Sequence, residues 1–327
     1  MDLKTIERLV ALALLLALTA CAPALTTSVP PAPTSTSPGA ATAVASTRSP
    51  ATPFVPDSPT PEAPLAALVN GQPIYLADYE RELGQYEADL LPSQGIDPSS
   101  PEGQERLAQD RPWILDWMIE VVLIEQAAAE AGIAVSDAEV DAYMQEIIAE
   151  NEGEEQLRAK LAERGETYED AWQKVRKELI VAAMTQRISE SVPTIAEQVH
   201  ARHILVDTQQ EAERIKAQLQ AGADFATLAR EFSLDTSTRE HGGDLIFFPR
   251  GILMAPEVEE AAFALQPGQI EVVTSPLGYH VVQVIERDLA RPVSPENMRF
   301  LQDQAVQEWI GELWVQAAIQ RFIETGP

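Results

Sequence analysis

Two alternating apolar runs, each carrying one histidine, frame the middle of the chain. The first is Ala201-Arg202-His203-Ile204-Leu205-Val206. The second begins at Gly278-Tyr279-His280, continues to Ile285, and follows Ser275-Pro276-Leu277. Period-two alternation marks a β-strand and fixes which side chains share a face. His203 and Leu205 fall on one face, opposite Arg202, Ile204 and Val206; His280, Val282 and Val284 fall together, opposite Tyr279, Val281 and Ile285. Between the runs lie a helical stretch and the glycine-rich turn Gly242-Gly243. This layout lets both histidines meet on the floor of one small sheet.

The intervening sequence supplies the cover for that sheet. Ile215 and Leu219 belong to one helix, and Phe225, Leu228, Ala229 and Phe232 recur at helical spacing as core residues. Further markers are Phe232-Ser233-Leu234-Asp235, Gly242-Gly243-Asp244-Leu245, Phe248-Pro249-Arg250-Gly251, Ala261-Ala262-Phe263-Ala264-Leu265 with Pro267-Gly268 after it, and Gly278-Tyr279-His280. In this order and at this spacing, residues 198–288 resemble a parvulin-type peptidyl-prolyl cis/trans isomerase domain.

The flanks fit a larger pattern. Ala67–Ile74 reads as a hairpin turning at Asn70-Gly71. Helices are expected over Leu76–Leu90, Trp113–Ala131 and Thr167–Ser189, with a loop over Leu91–Gly103 and an acidic turn over Glu150–Glu155. Gly132 ends the second helix, and Ser136-Asp137-Ala138-Glu139 is a capping box opening another. Ser294-Pro295-Glu296 starts a last helix, whose apolar face runs from Met298 through Leu301, Ala305, Trp309, Leu313, Trp314 and Ala317 to Phe322. That face is too apolar to stand alone in water. With these flanks the resemblance extends to the SurA/PrsA group of extracytoplasmic foldases and covers residues 65–327. It implies an α+β chain in which a helical SurA-like N-terminal domain (65–194) is completed by a C-terminal helix (289–327) packed on it. The parvulin (FKBP-like) domain (195–288), a small antiparallel sheet with surrounding helices, is inserted between them.

The resemblance also implies an activity. An Xaa-Pro bond isomerises slowly because amide resonance sets a barrier of about 18–20 kcal/mol. A catalyst needs neither nucleophile, metal nor cofactor; it must hold a twisted amide better than a planar one. His203 and His280 match the family's paired histidines. Asp235 stands where parvulins place a Cys or Asp facing the amide, and it can act either by disfavouring amide resonance or by orienting the histidines. Ser275 sits before the final histidine strand, where its hydroxyl extends the network. Met254, Val258, Phe248 and Phe263 match the socket for the proline ring. Three departures stand out: Val258 replaces the usual Phe, Ile246 replaces the Gly that usually follows Gly-Gly-Asp-Leu, and one extra residue lies between Gly251 and Phe263. A holdase with a weak or inactive parvulin domain is the alternative these departures support. The loop Asp207–Glu211 lacks the basic cluster that a phosphate dianion requires. His200, His203, His241 and His280 make no closed metal-ligand set.

Composition bounds partners and place. With 327 residues the chain holds two or three domains, and its net charge of −28 argues against nucleic acid as a partner. Cys21 is the sole cysteine, so there is no disulfide framework. Lys4 and Arg8 precede the short apolar run Leu9–Leu18, and Leu18-Thr19-Ala20-Cys21 resembles a bacterial lipobox. Residues 1–20 are then a lipoprotein signal peptide, and Cys21 is the site of lipid attachment to the membrane. Residues 21–64, rich in Pro, Ser and Thr, form a disordered tether. The expected substrates are unfolded or partly folded polypeptides containing Xaa-Pro bonds, met outside the cytoplasm.

Overall fold

The structure, a computed structural model, describes residues 63–90 and 94–323. Cys21, the signal peptide and nearly all of the expected tether lie outside the described residues. In chain order the elements are β1 (Leu65–Val69), β2 (Gln72–Tyr75), α1 (Leu76–Gln85) with a π-helical turn at Tyr86–Leu90, α2 (Pro101–Glu130), α3 (Asp137–Glu150), α4 (Glu154–Glu163) and α5 (Tyr168–Glu190). There follow β3 (Ile195–Val206), α6 (Gln209–Gln220), α7 (Phe225–Phe232), a 3-10 turn at Arg239–His241, β4 (Asp244–Pro249), α8 (Pro256–Ala264), β5 (Ile270–Ser275), β6 (Gly278–Pro292), α9 (Pro295–Gln316) and β7 (Ile319–Arg321). The described residues fall into two compact units, one of 63–119, 141–172 and 318–323, the other of 120–140 and 173–317.

In the first unit, β1 and β2 form the expected hairpin. Asn70 and Gly71 take φ values of 51° and 86°, the two left-handed positions a tight hairpin turn demands. The third strand was not anticipated. Helical periodicity runs on to Phe322, but α9 stops at Gln316 and β7 pairs antiparallel with β1, Val69 opposite Ile319 and Ala67 opposite Arg321. Asn70 explains the switch: its backbone N–H donates to Ala318 O at 2.9 Å, and its Oδ1 accepts from Ala318 N at 2.8 Å. Helix α2 likewise begins at Pro101, within the expected loop, and carries Pro112 inside it. Pro112 forfeits one backbone bond; burial of Leu107, Ile114, Leu115 and Ile119 outweighs it. The short helix α4 buries Leu157 and Leu161 and also escaped the sequence reading.

The second unit holds a four-stranded antiparallel sheet in the order β4-β3-β6-β5. Ile204, Val206 and Val281 point to one face and pack under α6 and α7 with Ile215, Phe225, Leu228 and Ala229. Val199, Ala201, Val282 and Val284 point to the other, and pack with Phe248, Val258, Ala262 and Phe263, the last three of these from α8. Also in this unit, Val306 and Ile310 of α9 share a cluster with Ile124, Ala128 and Met184. The hydroxyl of Ser294 caps α9, accepting from Asn297 N at 3.2 Å. Among the described residues no helix is long and apolar enough to cross a membrane.

Candidate active site

The second face of the sheet changes character toward one end. On β3 the inward series Val199, Ala201 continues to His203; on β6 Val284, Val282 continues to His280. The two imidazoles meet there, Nδ1 to Nδ1 at 3.1 Å, with ring planes 15° apart. Gly243 makes room for the first: its carbonyl accepts from His203 N at 2.8 Å, and a Cβ on it would lie 2.1 Å from the His203 carbonyl oxygen. Only glycine fits that approach at φ +76°.

Each outer nitrogen has a partner. His203 Nε2 lies 2.7 Å from Asp235 Oδ2, and His280 Nε2 lies 2.7 Å from Ser275 Oγ. Asp235 is held from every side. Oδ1 accepts from the backbone N–H and the hydroxyl of Ser237 at 3.0 and 2.6 Å, and Oδ2 accepts from the Thr238 hydroxyl as well as from His203. Burial alone would raise its pKa, but the hydrogen bonds from Ser237, Thr238 and His203 more than reverse that and hold it well below the usual carboxylate range.

The anion fixes the near end of the chain. An ionised Asp235 can only accept, so His203 donates from Nε2. Between the two Nδ1 atoms one imidazole donates and the other accepts, and the Ser275 oxygen at the far end accepts from Leu277 N at 3.1 Å. Ser275, His280, His203 and Asp235 thus form one continuous hydrogen-bonded chain. Burial, then the neighbouring His203, pushes the His280 pKa down to about 4.

The expected socket residues divide. Phe248, Val258 and Phe263 are buried in the core beneath the face, at 1%, 2% and 5% exposure, whereas Met254 stands 96% exposed. The loop after Gly251 is held by its neighbours. Glu259 accepts from the N–H groups of Gly251, Ile252 and Leu253 at 2.8, 3.1 and 3.2 Å, which ties the loop down as far as Leu253. Leu253 packs on the core, and the next residue turns outward. Leu245, Ile252, Leu253, Leu265 and Val273 are partly buried apolar side chains packed on this core, and none of them was an expected socket residue. Thr238, Ser237 and Glu259 were missed too. The hydroxyls two and three residues after Asp235 were a legible signal; the N–H cluster on Glu259 was not. Ile246 keeps the glycine conformation, at φ +52°, in a bulge where Asp244 and Phe247 oppose Arg202 and His200. Among the described residues no group of three or more His, Cys, Asp or Glu could hold a metal ion.

Comparison with known proteins places the chain in a family. Residues 65–185 match the SurA N-terminal domain and residues 185–288 the PPIC-type PPIASE domain. The foldase protein PrsA of Caldanaerobacter subterraneus subsp. tengcongensis is 31% identical over 238 residues, 67% of this chain and 72% of that one. PrsA of Halalkalibacterium halodurans is 33% identical over 192 residues, 53% of this chain and 57% of that one. The crystal structure of the peptidylprolyl isomerase PrsA from Bacillus anthracis is 29% identical, covers 61% of this chain and 93% of that chain, and superposes with a TM-score of 0.41.

Proposed function

We propose, from the premise that this chain belongs to the PrsA foldase family and is a peptidyl-prolyl isomerase and folding chaperone acting on polypeptides, that Ser275, His280, His203 and Asp235 are its catalytic network. The observation that carries this reading is the unbroken relay of hydrogen bonds ending against an apolar floor. The prolyl ring rests on Leu245 and Leu253, with Met254 as the lip of the socket and Val258, Phe248 and Phe263 as its buried foundation. The scissionless reaction needs only that the twisted amide be held better than the planar one. A floor of paired imidazoles and a fixed hydroxyl offers oriented dipoles. Asp235, already accepting four hydrogen bonds, orients His203 and through it His280 and Ser275.

The substrates are Xaa-Pro bonds in unfolded or partly folded secreted or envelope polypeptides. The lipobox at Leu18-Thr19-Ala20-Cys21 supports a lipid anchor on Cys21, outside the cytoplasm, with residues 21–64 as the tether. The test is cis/trans exchange in an unphosphorylated Xaa-Pro peptide, followed by NMR, with residues 65–327. Acceleration by the wild type that is lost in His280→Ala and Asp235→Ala is expected. A folded protein that suppresses aggregation and accelerates nothing would favour instead a holdase on an inactive isomerase fold, the reading to which exposed Met254 and strained Ile246 lend support.

A further inference from the structure

The segment from Arg250 to Val258 is anchored at nearly every residue but one. The Arg250 guanidinium lies 4.1 Å from the centre of the Phe263 ring. Gly251, Ile252 and Leu253 give their N–H groups to the Glu259 carboxylate. Gly251 is also seated on α9: a Cβ there would meet Leu301 Cδ2 and Gln304 Oε1, each at 3.2 Å. Ala255 and Val258 are buried in the core. The far end of α8 is fixed as well, since Arg287 donates to the Phe263 and Leu265 carbonyls at 2.6 and 2.8 Å and to Glu197 at 2.7 Å. Between these anchors Met254 stands 96% exposed.

Three consecutive backbone N–H groups converging on one carboxylate form an anion-binding nest occupied from within the chain. Each such bond to an ionised group is about twice as strong as a neutral one. We propose that Glu259 is a positioning residue for the isomerase: by closing this nest it fixes Met254 at the edge of the prolyl socket and so sets affinity for the proline ring. The inference rests on the reading of Met254 as the socket's lip. Fixing a lip improves binding of planar and twisted amide alike, so its loss falls on KM and spares kcat.

The experiment compares Glu259→Gln, Glu259→Ala, Met254→Ala and the Glu259→Ala/Met254→Ala pair by NMR exchange kinetics and peptide titration, at a temperature where all are folded. Glu259→Gln retains one acceptor and keeps the experiment open if the alanine variant does not fold. Losing charge-assisted acceptors predicts a KM rise of about threefold in Glu259→Gln and about tenfold in Glu259→Ala, with kcat within about twofold. In the Met254→Ala background the Glu259→Ala effect should vanish, because the two act in series. A purely structural role would lower the folded fraction and leave KM alone. Raised KM in Met254→Ala with unchanged KM in both Glu259 variants overturns the inference by itself. Unchanged KM in Met254→Ala overturns the reading of the lip and the inference with it, as does a Glu259→Ala effect undiminished in the Met254→Ala background.

Discussion

The two faces of the four-stranded sheet are made from alternate residues of the same strands, yet they are finished differently. Ile204, Val206 and Val281 meet two helices and an unbroken apolar layer. Even Arg202, on that side, lies flat over the Phe225 ring at 4.3 Å and bonds Gln283 at 2.9 Å. The opposite face starts as core at Val199 and Val284 and ends as a polar relay at His203 and His280. Burying two imidazoles, a carboxylate and a hydroxyl is tolerable only because each lone pair and proton is matched. One face gives stability outright; the other gives part of it up to hold a reactive geometry.

That contrast can be broken by substitution. Phe225→Ala opens a cavity on the closed face and should lower stability by about 3–5 kcal/mol, with kcat/KM of the folded protein unchanged. Urea melts beside exchange kinetics would check it, and a loss of activity per folded molecule would mean the faces are not separable. Next in size is the pH response of His280. Its folded pKa of about 4 lies below the ordinary 6.5, so the unfolded chain takes up the proton first. Stability should therefore fall by up to about 3 kcal/mol as pH drops from about 6.5 toward about 4. His280→Gln should flatten that limb in denaturant titrations at pH 7 and pH 4.5.

Asp235→Ala should leave the closed face intact but free His203 to change tautomer, with a loss of about a hundredfold in kcat/KM by NMR exchange. A loss of stability without that kinetic effect would make the relay structural. Smallest is Ile246→Gly. A β-branched residue at positive φ is strained by about 1–2 kcal/mol, and glycine's greater unfolded freedom returns part of that, so a gain of about 1 kcal/mol is expected from thermal melts.

Much of this was legible in the sequence because it rests on period and spacing. His203 and His280, each in an alternating run, had to share a face with the apolar residues two positions away, and they do. Asn70-Gly71 announced its turn, and Ser136 with Glu139 its capping box, now seen with Glu139 Oε2 2.8 Å from Ser136 N. What escaped depends on partners distant in sequence. β7 looks helical by itself and is a strand because β1 offers an edge some 250 residues away. Pro112 argued for a helix boundary that buried neighbours on both sides override. Met254 was placed by motif, but the carboxylate of Glu259 holds the loop as far as Leu253 and leaves Met254 exposed.

The pairing of β7 with β1 also bears on how the molecule is made. A chain delivered from its N-terminus presents β1 some 250 residues before β7, so the three-stranded sheet cannot close until both have emerged. All four strands of the isomerase sheet lie between residues 195 and 292 and are available sooner. Domains that emerge whole fold as they emerge, and long-range closure is slow. Pulse-labelled hydrogen exchange should accordingly find β3 and β6 protected before β1, with a working prolyl isomerase assembled while its own chain, including Pro295 and the tail beyond, is still arriving.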